Sequence, residues 1–176
     1  MLFRSRFLAD RMLGRLVKWL RILGYDTAYL PQFSPQGLVR EGRRQGRIIL
    51  TRDTRVLRQK DAPQLICIHY DLFRDQLKQV IAAYHLDPFA QLFTRCGECN
   101  ELLVAVKKEE LRDQVPEYVW QTQSEFHRCP GCRRLYWGAT HKEHVMAELR
   151  QMELTGGQKG EEGKWIKDKG KARRLG

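Results

Sequence analysis

Ile48-Ile49-Leu50-Thr51-Arg52-Asp53 is an apolar run closed by a carboxylate, and Phe7-Leu8-Ala9-Asp10 and Ile68-His69-Tyr70-Asp71 end the same way. Short apolar runs of this kind read as buried strands. Outward from them, residues 11–23 have helical period, with Leu13, Leu16, Val17, Leu20 and Leu23 on one face and Gly24 as a stop. The same reading predicts a strand over 26–30, a helix over 36–45 ended by Gly46, and a short helix over 54–60. A further strand is expected over 65–70 and a helix over 72–85. Strands spaced by helices need crossover connections, so the expected class is α/β, a mainly parallel sheet with helices on both faces.

In such a sheet Asp10, Asp53 and Asp71 leave their strands at the C-terminal edge, where open α/β sheets build ligand sites. Clustered carboxylates repel one another, and a hard cation such as Mg²⁺ relieves that repulsion while bridging to substrate phosphates. Each aspartate also precedes a predicted helix, and Asp is a favoured N-cap. Both roles stay open from sequence, and they can coexist.

Cys96-Gly-Glu-Cys99 and Cys129-Pro-Gly-Cys132 are separated by 29 residues, the pattern of a zinc ribbon. Two Cys-x-x-Cys turns complete a shell of four thiolates, with Gly97 and Gly131 expected to supply the backbone freedom. A redox dithiol or disulfides are the alternatives. Structural zinc in a small module is worth on the order of 10 kcal/mol of folding free energy. Strands are expected at 102–106 and 135–137, a short helix near 107–113 and a last helix over 141–154. The spacing leaves room for a hairpin or an inserted segment between the knuckles. The resulting division is 1–92, 93–147 with the ribbon, and 148–176, whose end reads as a disordered basic tail.

The 176 residues carry a formal net charge of +11, which favours polyanions and nucleic acid first among them. Arg11, Arg15 and Lys18 stack on the polar face of the first helix, flanked by Arg21, and either contact phosphates or are merely solvated. No apolar run approaches the roughly 20 residues of a membrane span, and five reduced cysteines fit a cytoplasmic setting. Cys67 reads as a buried thiol, and with His69 makes no catalytic pair. His127, His141 and His144 lie near the ribbon but are not needed as ligands. Tyr136 and Trp137 either stack on bases or cover a knuckle.

The run Phe7-Leu8-Ala9-Asp10-Arg11-Met12-Leu13-Gly14-Arg15-Leu16, with Trp19-Leu20-Arg21, Gly24-Tyr25-Asp26 and Leu50-Thr51-Arg52-Asp53, resembles a known family. It is the PIN-like RNase domain found at the C-terminus of Mut-seven-type exonucleases. Arg95-Cys96, Cys99-Asn100, Phe126, Cys129-Pro130-Gly131-Cys132, Tyr136-Trp137 and His141 extend the resemblance over about residues 3–147. It implies a PIN-like nuclease fold with a zinc ribbon and Mg²⁺- or Mn²⁺-dependent RNA cleavage. Asp10 and Asp53 match the family's acidic site residues, and Arg11 and Arg52 its adjoining arginines. The stretch Phe33-Ser34-Pro35-Gln36-Gly37 departs from the pattern, having no carboxylate where PIN-like domains usually carry one. Glu41 is a turn further on, and Asp71, Asp75 and Asp26 are the candidate substitutes. Two functions follow: a metal-dependent ribonuclease, or a catalytically weakened protein that binds RNA or associates with the ribosome.

Overall fold

The computed structural model describes residues 5–154. Phe7, Leu8 and Ala9 have no accessible surface and form β1 (Phe7–Ala9). Asp10 then caps a 3₁₀ turn over Arg11–Leu13, its carboxylate accepting from the Met12 amide at 2.8 Å. The helix expected from residue 11 therefore begins with a tighter turn, and α1 spans Gly14–Ile22. Gly24 ends it at φ +91°, where a Cβ would stand 2.2 Å from the Gln91 carbonyl oxygen. No side chain fits that approach. After β2 (Thr27–Tyr29), α2 (Pro35–Gln45) opens under Ser34, whose hydroxyl accepts from the Gly37 amide at 3.1 Å. Then come β3 (Ile48–Thr51), α3 (Thr54–Leu57), β4 (Leu65–Cys67) and α4 (Phe73–Tyr84). β4 is shorter than the expected 65–70 because its ladder with β3 runs out at the pair Thr51–Cys67.

The four strands form one parallel sheet in the order β2-β1-β3-β4. Alternation along each strand divides the core. Phe7, Ala9 and Leu50 meet Leu16, Leu20, Leu77 and Val80 from α1 and α4. Leu8 and Ile49 meet Leu38, Val39 and Val56 from α2 and α3 on the other side. Helices thus cover both faces, as expected. The chain winds outward from β1 to β2, then crosses back to β3 on the other flank of β1. The β1/β3 boundary is the point where strand order reverses, and its C-terminal end is where this topology leaves a crevice.

A second, antiparallel sheet has the order β5-β6-β7, from Val104–Val106, Phe126–Arg128 and Leu135–Trp137. The segment between the knuckles holds more than a hairpin: a 3₁₀ turn at Lys108–Leu111, α5 (Glu117–Thr122) and β6. Leu111, Val115 and Phe126 form its small core. The last helix, α6 (Ala139–Gln151), turns back to put Val145 and Leu149 into the core shared by α1 and α4. Glu148 fixes that return with two 2.9 Å hydrogen bonds from Arg74. The basic tail expected beyond 154 lies outside the described residues. No described helix is long and apolar enough to cross a membrane.

Candidate active site and metal centre

At the reversal point, β1 delivers Asp10 and β3 delivers Thr51 and then Asp53. Thr51 is fully buried and holds both aspartates. Its hydroxyl donates to Asp10 Oδ2 at 2.5 Å and accepts from the Asp53 amide at 2.9 Å. Asp10 Oδ2 also accepts from the Arg52 amide at 2.9 Å, so a nearly buried carboxylate is pinned from two directions. Asp53 caps α3 by accepting from the Arg55 amide at 2.8 Å. The Arg55 guanidinium grips the same carboxylate at 2.7–3.1 Å, and with Arg11 nearby holds it below the usual carboxylate range. Both residues therefore cap the element that follows them while standing at the C-terminal edge of the sheet.

Asp71 is different. It is exposed, and its carboxylate is taken by the Arg52 guanidinium. Among the described residues, the one group of three or more potential ligands that converge is the four cysteines, not the aspartates. Asp26 precedes β2 and so lies at the N-terminal edge, opposite Asp10. There it accepts from Arg47, Asn100 and Arg6. Burial raises its pKa, but the hydrogen bonds from Arg47 and Asn100, with the charges of Arg47 and Arg95, outweigh burial and bring it down to about 2. Glu41 pairs with Arg44 and Gln45 on its own helix. Asp26 therefore cannot join Asp10 and Asp53 at the C-terminal edge, and Glu41 is turned to other partners.

Asp10 and Asp53 suit a hard cation by their donor chemistry. Asp10 Oδ1 receives a single amide hydrogen bond, which leaves it acceptor capacity. Two carboxylates are enough for Mg²⁺, which keeps waters and shares substrate phosphates. Such an ion would compete with Arg55 for Asp53.

The cysteine cluster fits a softer metal. The four Sγ atoms lie within 4.8 Å of one another, with Cys96–Cys132 at 3.6 Å and Cys99–Cys129 at 3.1 Å. Tetrahedral zinc with bonds of about 2.3 Å calls for sulfurs about 3.8 Å apart. The knuckles repeat one backbone pattern. The Cys96 amide donates to Glu101 O and the Cys129 amide to Arg134 O, at 2.8 and 2.9 Å; Asn100 and Arg133 donate back to those cysteines' carbonyls. Positive φ falls on Asn100 (74°) and Arg133 (61°), not on the glycines. Gly131 leaves space instead, since a Cβ there would crowd Glu101 at 3.1 Å and the Cys99 sulfur at 3.4 Å. Tyr136 donates to the Cys96 sulfur at 2.9 Å. Burial raises the Cys96 thiol, but Tyr136 and the nearby amides outweigh it and lower it to about 6. Trp137 stays partly exposed.

The first knuckle is clasped to the parallel sheet. Arg21, expected on the flank of a basic stripe, is buried, donating to Thr27 O at 2.8 Å and Glu98 O at 2.5 Å. Asn100 accepts from the Thr27 amide at 2.9 Å and donates to Asp26 at 2.7 Å. Lys18 pairs with Glu98 at 2.8 Å, and Arg15 stacks on Phe73 with 3.9 Å to the ring centre. Of the three stripe residues, Lys18 alone is in an ion pair, Arg15 has only its ring contact, and the Arg11 side chain makes no hydrogen bond, ion pair or ring contact among the described residues. Cys67 is half-buried, and burial pushes its thiol up. His127 lies within β6 and His144 is exposed, neither in the cluster; the His141 side chain lies outside the described set. Sequence reasoning missed Thr51 and Arg55 as supports of the acidic edge, whereas Tyr136, expected either to stack on bases or to cover a knuckle, contacts the first knuckle through Cys96. A threonine before an aspartate at a strand end was the available signal for Thr51.

A family model described as the Mut7-C RNAse domain matches residues 5–149. No curated protein and no solved structure gives a match.

Proposed function

The chain belongs to the Mut7-C RNAse domain family, and on that footing we propose that it is a metal-dependent ribonuclease with a PIN-like active edge, cutting RNA phosphodiesters. One observation carries the reading. Asp10 and Asp53 share Thr51 at the reversal point of a parallel sheet, the position where this topology binds ligands. Asp10 and Asp53 would hold Mg²⁺ or Mn²⁺. When bound, that ion supplies an acidified water and neutralises charge on the scissile phosphate. Thr51 and the Arg52 amide keep the Asp10 carboxylate fixed in orientation, so no reorganisation is needed as charge develops. Arg11, beside Asp53, steadies the phosphate, and Arg52 does so on release of Asp71. Arg15 adds a phosphate contact at the rim, with Lys18 partly engaged by Glu98. The cysteine centre holds structural zinc and, through Arg21 and Asn100, braces the far edge of the sheet. The setting is cytoplasmic and the substrate RNA.

A second reading has its own support: the Asp53 carboxylate is already gripped by Arg55, and no carboxylate stands at Gln36. A protein arranged this way would bind RNA, free or on the ribosome, and cut slowly or not at all. Cleavage of a mixed RNA set by purified protein, with and without Mn²⁺ and against Asp10→Asn, separates the two. Metal-dependent cleavage lost in the variant supports the nuclease; binding with no cleavage supports the second reading.

A further inference from the structure

Between α2 and the connection from α3 to β4 runs an open cleft lined by four cations. Arg40 and Arg43 come from α2, Arg58 and Lys60 from the connection. Gln36, Arg40 and Arg43 follow one another at helical spacing along one wall, and Val39 is the single apolar side chain in the lining. Arg43 is committed, donating to the Asp61 carbonyl and pairing with its carboxylate at 3.6 Å. The side chains of Arg40, Arg58 and Lys60 make no hydrogen bond or ion pair among the described residues, and all three residues are exposed. A small apolar ligand has little to bury there. A chain of phosphates meets three free cations.

The position of the cleft says which chain. Ser34 caps α2 and Asp53 caps α3, so both helices start at the C-terminal edge of the sheet. The cleft opens at that edge, with Gln36 in the first turn of α2 at its head, and descends toward Lys60. We propose that it is a phosphate-backbone track for single-stranded RNA, leading the strand to or from the Asp10–Asp53 edge. The proposal rests on the ribonuclease reading for the identity of the polyanion. It gives the net charge of +11 a second locus, away from the α1 stripe whose Lys18 is paired.

The test is fluorescence anisotropy of a labelled, unstructured polyuridine strand, titrated with salt in the absence of added divalent cation. The variant is Arg58→Glu/Lys60→Glu, which breaks no hydrogen bond in the fold. Losing two phosphate contacts at about 0.7 each makes the slope of log K against log salt shallower by about 1.4. From a common value near 1 M salt, that difference is about 25-fold weaker binding at 0.1 M. Lys107→Glu/Arg150→Glu carries the same charge change at remote exposed positions and should keep the wild-type slope. An unchanged slope in the cleft variant overturns the track, as does an equal loss in the remote control. Polyglutamate binding with the affinity of RNA and the same dependence on Arg58 and Lys60 overturns the RNA assignment. A wild type that binds through the cleft but cuts nothing leaves the track standing and removes the nuclease; a wild type that cuts while the cleft variant binds unchanged does the reverse.

Discussion

Replacing Thr51 by valine removes one hydroxyl and almost no volume, from a position with no accessible surface. The hydroxyl makes two bonds: it donates to the Asp10 carboxylate at 2.5 Å and accepts from the Asp53 amide at 2.9 Å. A hydrogen bond to a charged group is worth about 1.5–3 kcal/mol, and an amide left without a partner costs about 1–3 kcal/mol more. Some of that returns as water or small shifts satisfy the amide, so the net loss should be about 2–4 kcal/mol. For a chain of this size each kcal/mol moves Tm by about 2–4 °C, which gives a fall of roughly 5–15 °C. Cleavage should fall further than stability explains, because Asp10 loses one of the two donors that fix Oδ2. A misplacement on the order of 1 Å costs about a hundredfold in rate. Thr51→Ser keeps the hydroxyl and should recover most of both losses. Urea or thermal unfolding, with RNA cleavage measured well below either Tm, reads out the pair. A valine variant within about 0.5 kcal/mol of wild type and equally active would refute the role given to Thr51.

Three other outcomes are expected. Purified protein should carry one zinc per chain, and Cys129→Ser should lose the metal and, with it, much of the stability of the antiparallel sheet; a zinc-free, fully folded wild type would rule out the metal centre. Arg55→Gln frees Asp53 from an exposed, solvent-screened ion pair, so the apparent affinity for Mn²⁺ in cleavage should rise, by up to about fivefold; unchanged or weaker dependence would show that Asp53 does not meet the cation. Asp26 has its pKa lowered in the fold to about 2. Its stabilisation is therefore complete above the unfolded value of about 3.9 and is lost as pH falls toward 2. Wild type should lose about 1–2 kcal/mol across that window, after allowance for solvent screening, that Asp26→Asn does not; parallel pH profiles would contradict the assignment.

The parallel sheet was legible because its strands are runs such as Ile48-Ile49-Leu50, buried on both faces and apolar without interruption. The crossing helices declared themselves by period and by Gly24 and Gly46. The cluster of four cysteines was legible from spacing alone. β6 and α5 were not. Phe126 is the one buried residue of β6, and α5 has no buried residue, so neither leaves a periodic signal. Arg21 looked like a solvated flank because the carbonyls that bury it arrive from Gly97 and Glu98, far along the chain. Gly97 and Gly131 were read as turn-makers, whereas Asn100 and Arg133 take the left-handed conformation and Gly131 makes room beside sulfur. At the active edge the order of strands, not the aspartates themselves, decides which acids are neighbours. That order puts the ends of β1 and β3, and with them Asp10 and Asp53, side by side, while Asp26, preceding β2, lies at the opposite end of the parallel sheet.

Cutting of RNA at the Asp10–Asp53 edge with a divalent cation is open to direct measurement. Zinc-loaded wild type and Asp10→Asn should be incubated with an end-labelled mixed RNA set over a Mn²⁺ titration, with folding of both checked by circular dichroism. Wild type should cleave in a manner that saturates with Mn²⁺, at least about a hundredfold faster than the variant, the loss expected when an electrostatic element of a site is removed. Folded wild type that leaves every RNA intact at saturating Mn²⁺, or an Asp10→Asn variant that cuts as fast as wild type, would contradict the ribonuclease reading.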